Sequence, residues 1–201
     1  MADGVNETST KSDAIIEAAD RLFTRFGYRR TSMDDIAREA GVAKGTLYLY
    51  FTNKEALFRA LLARNVALAG RLCDAAQAQG GDLTAQIFGQ LDAWFGMVLD
   101  QYGASGHLPE LSAARMSVGR EVVDAANRAY EARLVRIIGA AQAEGKANLA
   151  STGLNARQVV SVLLAAARGA KYGHGAAVAP DTFRTSLQHI AHVFAAAIRG
   201  L

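Results

Sequence analysis

The sequence predicts an all-α protein. Apolar residues recur at i, i+3 and i+4 along almost the whole chain of 201 residues, only two residues are proline, and glycines fall where the apolar stripes stop. A hydrophobic content of 51% excludes a disordered chain, and this length can enclose one large or two small cores.

The elements follow in order. Residues 1–11 are short and polar, and read as a flexible tail. Ile15, Ile16, Ala19, Leu22, Phe23 and Phe26 then form a helical stripe that ends at Gly27, a residue suited to the position just past a helix. Thr31 and Ser32 offer hydroxyl caps, Asp34 and Asp35 an acidic first turn, and Met33, Ile36, Ala37 and Ala40 the apolar face of a second short helix. Gly41 marks a turn. Residues 41–55, Gly-Val-Ala-Lys-Gly-Thr-Leu-Tyr-Leu-Tyr-Phe-Thr-Asn-Lys-Glu, carry a third helix in which Leu47 and Phe51 stack at i, i+4 and point inward. Gly45, Thr46, Tyr48 and Leu49 spread over the opposite face, with Lys44 at the amino-terminal end and Tyr50 on the flank. Two short helices around a glycine turn make a helix-turn-helix, and the third helix is composed to be half buried and half laid in a major groove.

Beyond residue 55 the stripes continue. Leu57, Phe58, Leu61, Leu62, Leu68 and Leu72 run to the Gly80-Gly81 break, and Leu83, Ile87, Leu91, Trp94, Phe95 and Val98 run on toward Gly103. Pro109 opens a short helix, and a long one from about Val118 to Glu144 closes at Gly145. Two final helices follow, one with Val159, Val160, Leu163, Leu164, Ala167 and Ala170, the other with Phe183, Leu187, Ile190, Ala191, Phe194 and Ile198, separated by Gly173-His174-Gly175 and Pro180.

Charge alone would not point to DNA. The chain is net +3, and residues 1–55 hold eight basic against nine acidic side chains. Placement carries the argument, because Arg29, Arg30, Lys44 and Lys54 gather around the motif while Asp13, Glu17 and Asp20 belong to the first helix. Such a head predicts modest affinity as a monomer and a need for a dimer.

Phe26-Gly27-Tyr28, Thr31 to Ala37, Gly41-Val42, Lys44 to Tyr48 and Tyr50-Phe51 with Asn53 to Leu57 together resemble the DNA-binding domain of the tetracycline-repressor (TetR/AcrR) family. The resemblance covers about the first quarter of the chain in detail. It implies a helix-turn-helix domain over residues 12–55 and a helical ligand-binding and dimerisation domain over 56–201. Ala43 stands where many members carry Ser or Thr, which implies one hydrogen bond to the operator fewer and an apolar side chain suited to a thymine methyl in its place.

The expected DNA-binding residues are Thr31, Ser32, Ala43, Lys44, Gly45, Thr46, Tyr48, Leu49, Tyr50 and Lys54. Lys44 can reach a guanine edge or a phosphate, and Gly45 admits the duplex backbone closely for want of a Cβ. Tyr48 and Tyr50 lie about 200° apart on the wheel and cannot make the same contact. Thr31 or Ser32 and Lys54, at helix starts, are placed to hold phosphates. For a small molecule, the resemblance implies a pocket in the second domain, for which the candidate lining is Phe88, Trp94, Phe95, Met97, Tyr102, His107, Met116, Asn127 and Tyr130.

The last two helices, rich in small side chains at Ala165-Ala166-Ala167-Arg168-Gly169-Ala170, suggest a homodimer built as a four-helix interface about a two-fold axis. No cofactor, metal or catalytic group is expected. His189 and His192 lack an accompanying carboxylate or thiolate ligand, and no phosphate-cradling loop or nucleophile elbow is present. The single Cys73, the absence of an apolar span and the polar start suit a soluble cytoplasmic protein. Three readings stay open: a repressor released from a palindromic operator by a small molecule, a DNA-binding regulator or architectural protein without an inducer, and a helical binder or enzyme whose helix-turn-helix is vestigial.

Overall fold

The structure, a computed structural model, describes residues 3–171 and 179–199, with side chains from residue 10 onward; Gly173-His174-Gly175 lie outside the described residues. It is helical throughout that range: α1 (Asp3–Phe26), α2 (Met33–Glu39), α3 (Lys44–Tyr50), α4 (Lys54–Gln79), α5 (Leu83–Leu91), a π-helical turn (Asp92–Gly96), α6 (Met97–Tyr102), α7 (Leu108–Ser117), α8 (Arg120–Ala143), a 3-10 turn (Leu149–Thr152), α9 (Ala156–Ala170) and α10 (Pro180–Arg199). Helix α1 begins at Asp3, within the stretch read from sequence as a tail, and no proline or glycine between Val5 and Phe26 interrupts it. The chain forms two compact units, one from residues 1–66 with 105–125, the other from 67–104 with 126–201.

The first unit gathers Ile15, Ala19, Phe23, Ile36, Leu47, Leu57 and Phe58 into a core in which each is at most 2% exposed. Phe23, Tyr28 and Phe58 meet as an aromatic cluster, with ring centroids 4.9–5.7 Å apart. Phe26, which shares the α1 spacing, is instead 43% exposed, with the Arg25 guanidinium 4.9 Å over its ring. It sits at the very end of α1, on the wall of an open cleft that it shares with Leu22, Arg30 and the α2 residues Asp35, Arg38 and Glu39.

A segment from far along the chain completes this unit. Glu110 on α7 accepts from the Arg29 amide at 2.6 Å, and Ser105 Oγ donates to the Thr24 carbonyl at 2.6 Å. Gly27 is required here twice over: its φ is +86°, and a Cβ would run into the Glu110 carboxylate.

The second unit packs α5, α9 and α10 with the later parts of α4 and α8. Ile87, Leu91, Leu134, Val160, Leu163, Phe183 and Leu187 are all but sealed from solvent. Asn155 and Gln158 close a reciprocal cap on α9, and Asp82 caps α5 while pairing with Arg199 at 2.7 Å. The single apolar stripe expected from Leu83 to Gly103 is widened at Asp92–Gly96. A Cβ on residue 96 would overlap Asp92 Oδ1, and that same carboxylate is drawn to Arg184 Nε at 2.7 Å, so the extra residue of the π turn makes room for the ion pair.

One consequence bears on assembly. The α9 and α10 residues read from sequence as a dimer seam are mostly core of a single chain: Val159, Val160, Leu163, Leu164, Ala167, Phe183, Leu187, Ala191 and Ile198 are each at most 3% exposed. Their spacing selects one face of each helix, and the chain's own elements meet there, α10 packing against both α5 and α9. The faces left open carry Val162, 50% exposed, and Val193, 62% exposed, beside exposed Ala165, Gly169, Ala196 and Ala197.

Candidate nucleic-acid interface

Helix α2 is started by a complete cap. The Asp35 amide donates to Ser32 Oγ at 3.1 Å, and the Ser32 amide donates back to the Asp35 carboxylate at 3.1 Å. The Ser32 hydroxyl, and then its amide, hold the Asp35 carboxyl below the usual aspartate range. Gly41, at φ +67°, turns the chain into α3, and the Val42 amide closes on the Ala37 carbonyl at 3.0 Å.

Helix α3 has no side-chain cap, because Ala43 supplies none. Leu47 is fully buried and Phe51 is 9% exposed, anchoring the inner side. Outward stand Ala43, Lys44 and Gly45, all exposed, with Tyr48 at 42% and Leu49 at 85% exposure; Thr46 and Tyr50 are half-buried on the flanks. An 85% exposed leucine on a seven-residue helix gains nothing in the isolated chain. A Cβ at Gly45 would meet nothing of this protein.

Three of the expected DNA-binding side chains are already engaged by their own fold. Thr31 is 3% exposed and its hydroxyl donates to the Gly27 carbonyl at 2.8 Å. Ser32 Oγ serves the α2 cap. Lys54 Nζ donates to the carbonyls of Tyr28, Arg29 and Thr31 at 2.9, 3.3 and 3.0 Å, which uses all three of its hydrogens and stitches the α1–α2 loop to the start of α4. Lys44, by contrast, reaches the Asp34 carboxylate of α2 at 2.9–3.0 Å while staying 62% exposed, and this pair raises its pKa above the usual lysine value. In the sequence Asp34 is marked only as part of an acidic first turn, because a partner ten residues away on another helix leaves no periodic signal.

The candidate ligand residues divide between the units. Trp94 stacks on Tyr130 with centroids 4.2 Å apart and planes 4° from parallel, and Phe95 meets Tyr130 edge-on at 6.2 Å. Tyr130 is buried, donates to the Gln90 carbonyl at 2.8 Å, and is held well above the usual phenol pKa by that burial. Tyr102 is buried, while Phe88, Met97 and Asn127 are half-buried in the same unit. His107 and Met116 belong to the first unit, where His107 Nδ1 lies 3.7 Å from Glu110. Met116 is 61% exposed and forms no part of a core, contrary to its apolar character.

Residues 15–61 match the family model of bacterial regulatory proteins, tetR family. Residues 15–61 are thus a tetR-family DNA-binding domain. It is 57% identical over 44 residues to the uncharacterized HTH-type transcriptional regulator YhgD of Bacillus subtilis (strain 168), covering 22% of this chain and 23% of that one. The chain thus spans about a quarter of the length of the curated relatives it matches. Among solved structures, a TetR-family transcriptional regulator from Mesorhizobium loti superposes with a TM-score of 0.73 at 17% identity, over 96% of this chain and 98% of that one. A transcriptional regulator from Saccharomonospora viridis, solved in complex with choline, gives a TM-score of 0.71 at 21% identity, over 90% and 95% of the two chains. The TetR likeness is therefore detailed in sequence across the reading head and in fold across nearly the whole chain. Among the described residues no group of three or more His, Cys, Asp or Glu could hold a metal ion, and no helix is long and apolar enough to cross a membrane.

Proposed function

We propose that this chain is a sequence-specific transcriptional regulator of the TetR family that represses from a palindromic operator and is released by a small molecule. The observation that carries the reading is α3, which buries Leu47 completely while presenting Lys44, Gly45, Tyr48 and Leu49 to solvent. An apolar tip of this kind suits a thymine methyl, and a hydroxyl beside it suits a phosphate oxygen. Two copies, paired through the open faces of α9 and α10, insert their α3 helices into successive major grooves.

This reading assigns the ligand to the second unit, where half-buried Trp94, Phe95, Phe88, Met97 and Asn127 offer flat apolar surface and a few polar atoms over buried Tyr102 and Tyr130. A molecule bound there favours a separation of the two heads that mismatches the operator. The S. viridis regulator with choline supports a small-molecule role for this fold. Selection from random duplexes followed by footprinting tests the reading: one protected palindrome, lost in Lys44→Ala and Tyr50→Ala, is expected. A chain that protects no site would overturn it. Thermal-shift screening of the dimer, scored by operator release, tests the inducer.

A further inference from the structure

The geometry points to Asp34 as a specificity-determining residue that withholds Lys44 from DNA phosphates. The proposal rests on the DNA-binding reading above and adds a residue to it. Asp34 lies on α2 and Lys44 opens α3, and the carboxylate grips the ammonium with both oxygens, at 2.9 and 3.0 Å, while both side chains remain more than half exposed. Lys44 is the one cation on the outward side of α3, whose sequence is Lys-Gly-Thr-Leu-Tyr-Leu-Tyr.

A free lysine gains affinity from any duplex, because a phosphate contact releases a condensed counterion whatever the sequence. Lys44 is placed differently. To reach a phosphate it must exchange one anion for another, and Asp34 is then left facing the negative backbone unpaired. At a guanine edge the exchange is unnecessary, since an ammonium has three hydrogens and can keep Asp34 while donating to O6 or N7. The carboxylate therefore removes the sequence-independent contribution of Lys44 and spares the base-reading one. The near balance of charge across residues 1–55 follows the same logic, because it holds down binding to the large excess of wrong sites.

The test compares wild type with Asp34→Asn, Lys44→Ala and the double variant, using the operator from selection and a scrambled duplex of equal length across a salt series. Asp34→Asn is expected to tighten scrambled-duplex binding by about eight-fold per head at 0.1 M salt and to steepen the salt slope by about 0.9 per head, as one further phosphate contact would. Operator binding gains less, so discrimination falls. The gain must vanish in the Lys44→Ala background. An unchanged scrambled-duplex affinity in Asp34→Asn, or an equal gain without Lys44, overturns the proposal. Failure of wild type to distinguish any operator would instead overturn the DNA-binding reading itself. Circular dichroism of each variant confirms that the fold is kept.

Discussion

Lys54 Nζ lies 4.6 Å from the centre of the Tyr28 ring and donates to the Tyr28 carbonyl at 2.9 Å. Tyr28 thus receives from one ammonium both a cation–π contact, on its ring, and a charged hydrogen bond, at its backbone carbonyl. The α1–α2 loop, which delivers Arg29 and Arg30 to the surface, is held at the shape that α4 dictates.

Lys54→Met should therefore behave as a fold variant rather than as a lost phosphate contact. Removing charged hydrogen bonds of this kind costs about 1.5–3 kcal/mol, read as a lower denaturant midpoint. The salt slope of operator binding should stay at the wild-type value. A slope reduced by about one per head would return Lys54 to the phosphate role that its position in sequence suggests.

The Tyr28 hydroxyl is buried with no hydrogen-bond partner, although its ring is packed between Phe23 and Phe58. Tyr28→Phe keeps the ring and removes the stranded group. Stability should be unchanged or raised by about 1 kcal/mol, measured by urea titration. A clear loss would mean that the hydroxyl does pair in solution.

Leu47 and Leu49 sit two residues apart with opposite fates, 0% and 85% exposed. Leu47→Ala should cost about 2–5 kcal/mol, as a deleted core leucine does, and operator binding fails with the fold. Leu49→Ala should leave the thermal midpoint in place and weaken operator binding. Parallel thermal melts and gel shifts check the contrast.

Stability should also carry an acid limb that passes through Ser32. Folding lowers the Asp35 pKa through the Ser32 hydroxyl and amide, so the resulting stabilisation is present above the unfolded pKa and is lost as pH falls through the lower folded one. Ser32→Ala should accordingly lower the melting temperature at neutral pH, with the gap to wild type narrowing below about pH 4 to the part that the Asp35 amide bond to Ser32 Oγ supplies. A gap that is constant with pH would show that the carboxylate takes no part.

Dimerisation through the open faces of α9 and α10 predicts that Val193→Glu yields a folded monomer. Val193 is already 62% exposed in the single chain, so the charge costs that chain little, whereas a two-fold seam would bring two carboxylates together. Sedimentation at micromolar concentration distinguishes the species. A persistent Val193→Glu dimer would place the seam elsewhere.

The sequence by itself determined the helices and much of their orientation. The cap at Ser32, glycines at 27, 41 and 145, and the 3.6-residue repeat are local signals, and so Leu47 and Phe51 could be turned inward before any neighbour was known. Only the tertiary structure decided what the polar side chains do. Lys54 finds carbonyls 23 to 26 residues back, Lys44 finds a carboxylate on the preceding helix, and Glu110 caps an amide 81 residues away. Periodicity records which face of a helix avoids water. It cannot name the partner that covers that face, which is why the stripes of α9 and α10 read as a seam between chains while they fill the core of one. A hydrogen bond depends on distance in space alone, and that distance is set only once the helices have packed.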